Sequence, residues 1–184
     1  MRRFAVLLVG LLVACGKSET PADAPGNATA AAAEMPPEPK AFPTPDACAL
    51  LSVESVAAIT GWKSPQVEPV STGADYLSAC TIVDGAQTAR FVKIAVALGS
   101  AAPKDSADYA RTVGDRSGTL RKPATPITTL AVPVIEMDAG PDAQMMQARL
   151  AQNVELTITT QSMDLTRSLF PPALVKLRSK LPES

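Results

Sequence analysis

Residues 154–159, Val-Glu-Leu-Thr-Ile-Thr, alternate apolar and polar side chains without a break. A two-residue period means a strand with one face in a core and the other against water or a second layer. The same period recurs upstream. In 90–99, Val92, Ile94, Val96 and Leu98 fall on one face, opposite Phe91, Lys93 and two alanines. In 75–85, Tyr76, Ser78, Cys80 and Ile82 share a face, and Asp84-Gly85 marks a tight hairpin turn. A chain with several such segments must build a sheet, and one-sided alternation favours antiparallel pairing.

Helical segments punctuate the strands. Ser52 is placed to cap a helix, with Glu54 in its first turn and Val53, Val56, Ala57 and Thr60 at helical spacing. Gly61 is placed to end that helix in the left-handed conformation, with Trp62 packing under it. Residues 103–118 read as a surface helix capped by Asp105 or Ser106, with a thin apolar side of Ala107, Tyr109, Ala110 and Val113. Near the C-terminus, Pro171 and Pro172 predict a break, because proline inside a helix removes a hydrogen bond and clashes with the preceding turn. A last helix is expected from about Pro172, with Leu174, Leu177 and Leu181 buried and Lys176, Arg178 and Lys180 facing out. Residues 65–71 form a Pro-interrupted edge strand, and 125–162 supply three more strands with turns at 138–143 and 151–153. The order is α-β-β-β-α-β-β-β-α, which places the chain in the α+β class: a mainly antiparallel sheet with flanking helices. Helix-then-strands occurs twice, which suggests an internal duplication.

The front of the chain follows other rules. Arg2 and Arg3 precede an apolar run, 4–14, of 11 residues. A membrane-crossing helix needs about 20, so the run has the length and flanks of an export signal. It ends in Leu12-Val13-Ala14-Cys15, which resembles the lipobox of bacterial lipoproteins: an aliphatic residue, a small residue, then an obligatory cysteine. The resemblance implies cleavage before Cys15 and acylation of its thiol, giving attachment to a lipid bilayer through Cys15. Two or three acyl chains anchor firmly where one does not. Gly16, rather than Asp, favours the outer membrane if two membranes are present. Residues 15–44 then form the lipidated cysteine and a Pro/Ala-rich tether. Only Met35 and Phe42 could add much to a core, so the segment cannot offset its ordering entropy. Its 29 residues after Cys15 span roughly 30 Å as a coil. The organisation expected is a signal peptide over 1–14, the anchor and tether over 15–44, and one globular domain over 45–184.

Charge and composition exclude more than they assign. The 184 residues carry 17 Lys and Arg against 18 Asp and Glu, and removing 1–14 takes two arginines, leaving a net charge of about −3. No basic stripe is evident along the chain, so nucleic acid is not an expected partner. The overall balance does not call for an anionic lipid surface either. Histidine is absent, which rules out Ser-His-Asp and Cys-His nucleophilic sites and His-ligated zinc or haem. Of three cysteines, Cys15 goes to lipid and leaves the pair Cys48 and Cys80. Paired cysteines in an exported chain are usually bridged, and a Cys48–Cys80 disulfide is predicted; two buried free thiols are the alternative.

The run at 46–61, Asp-Ala-Cys-Ala-Leu-Leu-Ser through Gly61, followed by Ser-Ala-Cys-Thr-Ile-Val at 78–83, resembles a group of uncharacterised bacterial lipoproteins. In that group a Cys-x-Leu-Leu opening, a capped short helix ending in glycine and a second strand cysteine recur. Those positions fall on Cys48, Gly61 and Cys80. The resemblance also implies a PsbP-like α/β/α sandwich. It implies no activity.

Candidate chemistry is sparse. Asp105, Asp108 and Asp115 lack the ligand pattern of a calcium loop and read as a solvated helix face. Glu136 and Asp138 share a strand face and read as strand-end carboxylates in water. Met145 and Met146 point to opposite faces and read as core filling. No catalytic residue, metal or cofactor is expected. The function expected is a non-enzymatic binding or accessory role for an exported, envelope-bound protein. Its partner would be another envelope protein or a small apolar ligand, on an exposed sheet face or edge. The alternative is a hydrolase-like envelope enzyme using carboxylates or a Ser/Lys pair without histidine.

Overall fold

A computed structural model describes residues 44–68, 70, 76–99, 103–117, 120–150 and 153–181. Cys15, the signal run and the tether lie outside them, as does the side chain of Asp115.

One turn of 3-10 helix, Ala47–Ala49, opens the domain, and α1 follows at Val53–Thr60. Ser52 caps α1 as expected, its hydroxyl accepting from Ser55 N, and Gly61 closes it at φ 72°. That left-handed backbone costs glycine little and any other residue more. Trp62 then sits in the core at the helix end. Three strands follow: β1 (Pro65–Glu68), β2 (Ser78–Asp84) and β3 (Gln87–Leu98). The turn between β2 and β3 is Gly85-Ala86, with Asp84 pairing Gln87. Helix α2 spans Ser106–Ser117, and β4 (Thr125–Ile127), β5 (Val134–Gly140), β6 (Ala143–Arg149) and β7 (Val154–Thr160) precede α3 (Met163–Arg178).

All seven strands pair antiparallel in one sheet, ordered β1-β2-β3-β7-β6-β5-β4. The class is α+β, with helices flanking the sheet. Two meanders, β1–β3 and β4–β7, meet where β3 pairs β7. The expected order holds with one addition, β4. Its three residues, with Pro126 at their centre, are too few to show a period, and they pair only at the sheet edge.

Each face of the sheet has its own core. On one, Cys80, Ile82, Val92, Ile94, Val96, Met146, Leu156 and Ile158 pack under the opening turn, α1 and α3. On the other, Ile135 and Met137 pack under Tyr109 and Ala110 of α2. Met145 and Met146 divide between the two, as strand geometry requires. Because α1 and α2 lie on opposite faces, the halves are not related by a twofold axis normal to the sheet, and the expected duplication finds no support. Leu98, expected in the core, is 58 % exposed. Strand β2 ends opposite Val96, so Leu98 has a strand on one side only.

The last helix departs most from expectation. It runs through Pro171 and Pro172 without a break. One proline in a helix interior costs about 3 kcal/mol. Here both prolines are exposed, and so are Arg167 and Ser168, whose carbonyls lose their N–H partners and face water instead. The opposite side buries Thr166, Leu169, Phe170, Ala173, Leu174 and Leu177. Burying a large apolar side chain is worth about 1.5–3 kcal/mol, so four such side chains outweigh the two interruptions.

Candidate functional site

The predicted bridge is present. Cys48 and Cys80 are bonded, with Cα atoms 5.1 Å apart and a sequence separation of 32. The bond ties the opening turn to β2. Two further contacts hold that turn: Ala47 N donates to Ser78 Oγ at 2.6 Å, and Asp46 accepts from Cys48 N at 2.9 Å. The point where the chain enters the domain is therefore fastened to the sheet by the disulfide and by the Ala47–Ser78 hydrogen bond, while Asp46 braces the turn from within.

The most organised polar cluster lies on the opposite face, at the border of α2. Tyr109 OH donates to Glu155 Oε2 at 2.9 Å. Arg149, directly across the β6–β7 pair from Glu155, makes an ion pair with the same oxygen, and its guanidinium lies 5.4 Å from the Tyr109 ring centroid. Gln147 donates both to Glu155 Oε1 and to Thr157 Oγ1. The Arg149 and Glu155 side chains are 6 % and 16 % exposed. Burial, and then the Glu155 charge, push the Tyr109 phenol far above its ordinary pKa, so it stays a donor.

Beside this cluster, no helix among the described residues covers the sheet over β1, β2, β3 and β7. Register places Ala79, Ala95 and Thr157 in one row across it and Thr81, Lys93 and Thr159 in the next. The result is a shallow tray with small side chains in its Ala79–Thr157 row, bounded at its far end by the paired Val83 and Phe91. Lys93 is its central cation, 5.4 Å from the Tyr76 ring, and Tyr76 is 40 % exposed. The α2 border forms one wall.

Gly99 shapes that wall. A Cβ there would lie 1.6 Å from Arg149 Nη1. Arg149 cannot swing aside cheaply, being buried and held by Glu155. Gly99→Ala is expected to cost about 2 kcal/mol, the usual scale of overpacking, read as a lower urea midpoint. An unchanged midpoint would show that the guanidinium is free to move.

Open grooves also occur elsewhere among the described residues. One, of about 400 Å³, lies between the end of α1 and the start of α3 and is lined by Ile59, Trp62, Arg90 and Leu165. Another, of about 310 Å³, is lined by Lys104, Leu130 and Val132 beside α2. The second groove also holds Asp105 and Ser106 beside Lys104, but the Ser106 hydroxyl is bonded to Ile127 O and Val134 N, and Asp105 accepts from Asp108 N. Both Glu155 oxygens accept from neighbours, which leaves that carboxylate poorly placed for proton transfer.

Other sequence candidates resolve individually. Asp105 caps α2, accepting from Asp108 N at 2.8 Å. Asp108 pairs with Arg111, and the Lys104 N–H first, then Arg111, hold its carboxyl below the ordinary range. Ser106 does not cap α2. Its hydroxyl donates to Ile127 O and accepts from Val134 N, pinning α2 between β4 and β5. Glu136 is a correction. It is not solvated at a strand end but 8 % exposed, and Arg167 of α3 grips it with two bonds of 2.6 and 2.7 Å. Asp138 instead accepts from Gln144 and lies 3.8 Å from Lys122. No group of three or more His, Cys, Asp or Glu suited to a metal occurs among the described residues.

The Tyr109–Arg149–Glu155 cluster went unread in the sequence. Its signal is the hairpin: Arg149 and Glu155 stand symmetrically about the turn near Asn153, whose positive φ of 60° suits asparagine. Compared with known proteins, the chain matches no family model and no curated protein.

Proposed function

We propose that this chain is a lipid-anchored protein of the bacterial cell envelope whose domain has a non-enzymatic binding or accessory role. The observation that carries the reading is Leu12-Val13-Ala14-Cys15 at the end of a short apolar run behind two arginines. The Cys48–Cys80 bond supports it, since such bonds persist in oxidising compartments. The open tray over β2, β3 and β7 is the surface on which a partner would sit. Its row of small residues would let an extended chain or flat ligand approach the sheet, and Lys93 would supply a cation. The Glu155 carboxylate at its edge has both oxygens engaged by neighbours, which favours binding over catalysis.

The test is metabolic. In a bacterial host, the full chain should incorporate radiolabelled palmitate and partition with membranes, and Cys15→Ser should lose the label entirely. Equal labelling of the variant would exclude this attachment point.

A further inference from the structure

We propose that the outward face of α3 rests on an anionic lipid surface, so that the domain lies on the membrane rather than standing away from it. Opposite its buried stripe, α3 presents Pro171, Pro172 and Val175 to solvent. Val175, at 68 %, is the most exposed large hydrophobic side chain among the described residues. Lys176, Arg178 and Lys180 flank this apolar ridge, all exposed, and none is ion-paired to a carboxylate among the described residues. From Thr166 to Pro182 the chain has four cations and no Asp or Glu. An apolar ridge beside basic residues is the chemistry by which a surface helix meets anionic headgroups. The balance of the whole chain hides this, because acidic residues elsewhere offset the cluster.

A second observation concerns orientation. The opening turn, where the chain enters the domain, packs in the same core layer as α3. With the α3 layer against the bilayer, the opening turn lies in the lipid-facing layer, on the side away from the tray. The tray on the opposite face would then stay open to a partner. The proposal rests on the anchored-envelope reading for its location alone.

The experiment uses the full lipidated chain in vesicles with brominated acyl chains, either phosphatidylcholine alone or with about a third phosphatidylglycerol. A fluorophore is placed at Val175→Cys and, separately, at Ala107→Cys on α2. Quenching at 175 but not at 107, only with the anionic lipid and reversed by high salt, is expected. Each cation near such a surface contributes about fivefold to partitioning. The triple change Lys176→Gln, Arg178→Gln, Lys180→Gln should therefore weaken contact on the order of 100-fold and abolish the quench. Quenching at neither site, or equally at both, would overturn the proposal. So would a signal at 175 that follows protein concentration and not lipid, which would assign the face to a second copy. Flotation separates the two readings. A chain that floats with 175 unquenched keeps the anchor and loses this surface; a Cys15→Ser chain quenched at 175 as strongly as its parent keeps the surface and loses the anchor.

Discussion

Replacing Glu155 with alanine is expected to destabilise the domain by about 3–5 kcal/mol, the cost of removing one partner from an ion pair that is largely out of water. The cause is local and specific. Arg149 loses the carboxylate it pairs with, Tyr109 OH loses its acceptor in a buried position, and Gln147 loses one of two. Domains of this size are stable by only about 5–15 kcal/mol, so the variant should unfold early in urea or accumulate poorly. Gln147 and Thr157 remain hydrogen-bonded, so the damage should concentrate at the α2 border and appear as faster hydrogen exchange in α2. The paired change Arg149→Met with Glu155→Leu should recover much of the loss, since a matched apolar pair need not be worse than a buried ion pair. A loss below about 1 kcal/mol for Glu155→Ala would show that the cluster is surface decoration.

Removing the disulfide should cost nearly as much by a different route. Changing both Cys48 and Cys80 to alanine frees a segment of 32 residues, which chain entropy values at about 3–4 kcal/mol. Cys80 is 1 % exposed, and alanine also leaves a small void there. The opening turn should loosen first, because the Ala47–Ser78 hydrogen bond and the packing of Ala47, Leu50 and Leu51 are then all that holds it to the sheet among the described residues. Equilibrium unfolding with and without reductant reads the effect: reductant should destabilise the parent and leave the double variant unchanged. Identical curves for parent and variant would mean the bridge carries no stability.

How much of this was legible in sequence depends on how local each cause is. The cap at Ser52 and the stop at Gly61 are decided within a few residues and match the sequence reading, while the β2–β3 turn was found but falls one residue later, at Gly85-Ala86 rather than Asp84-Gly85. The inward alternation of β3 and β7 was equally plain, apart from Leu98 at an end where the neighbouring strand is missing. Helix α3 was misread because the two prolines are local and the burial that outweighs them is not. Glu136 was misplaced for the same reason, since Arg167 lies 31 residues away. The cluster at Tyr109 joins a helix to two strands across 46 residues, and alternation alone gave Glu155 only an outward direction, not the helix that covers it. Cys48 and Cys80 were paired by elimination, which works when one of three cysteines has another use.

The most direct test of the central claim is the intact mass of the protein extracted from bacterial membranes. The account predicts a polypeptide beginning at Cys15, heavier than its sequence by a diacylglyceryl group and commonly a further acyl chain, with two hydrogens missing for the Cys48–Cys80 bond. A mass matching an unmodified chain, whether whole or cut at another position, would contradict it.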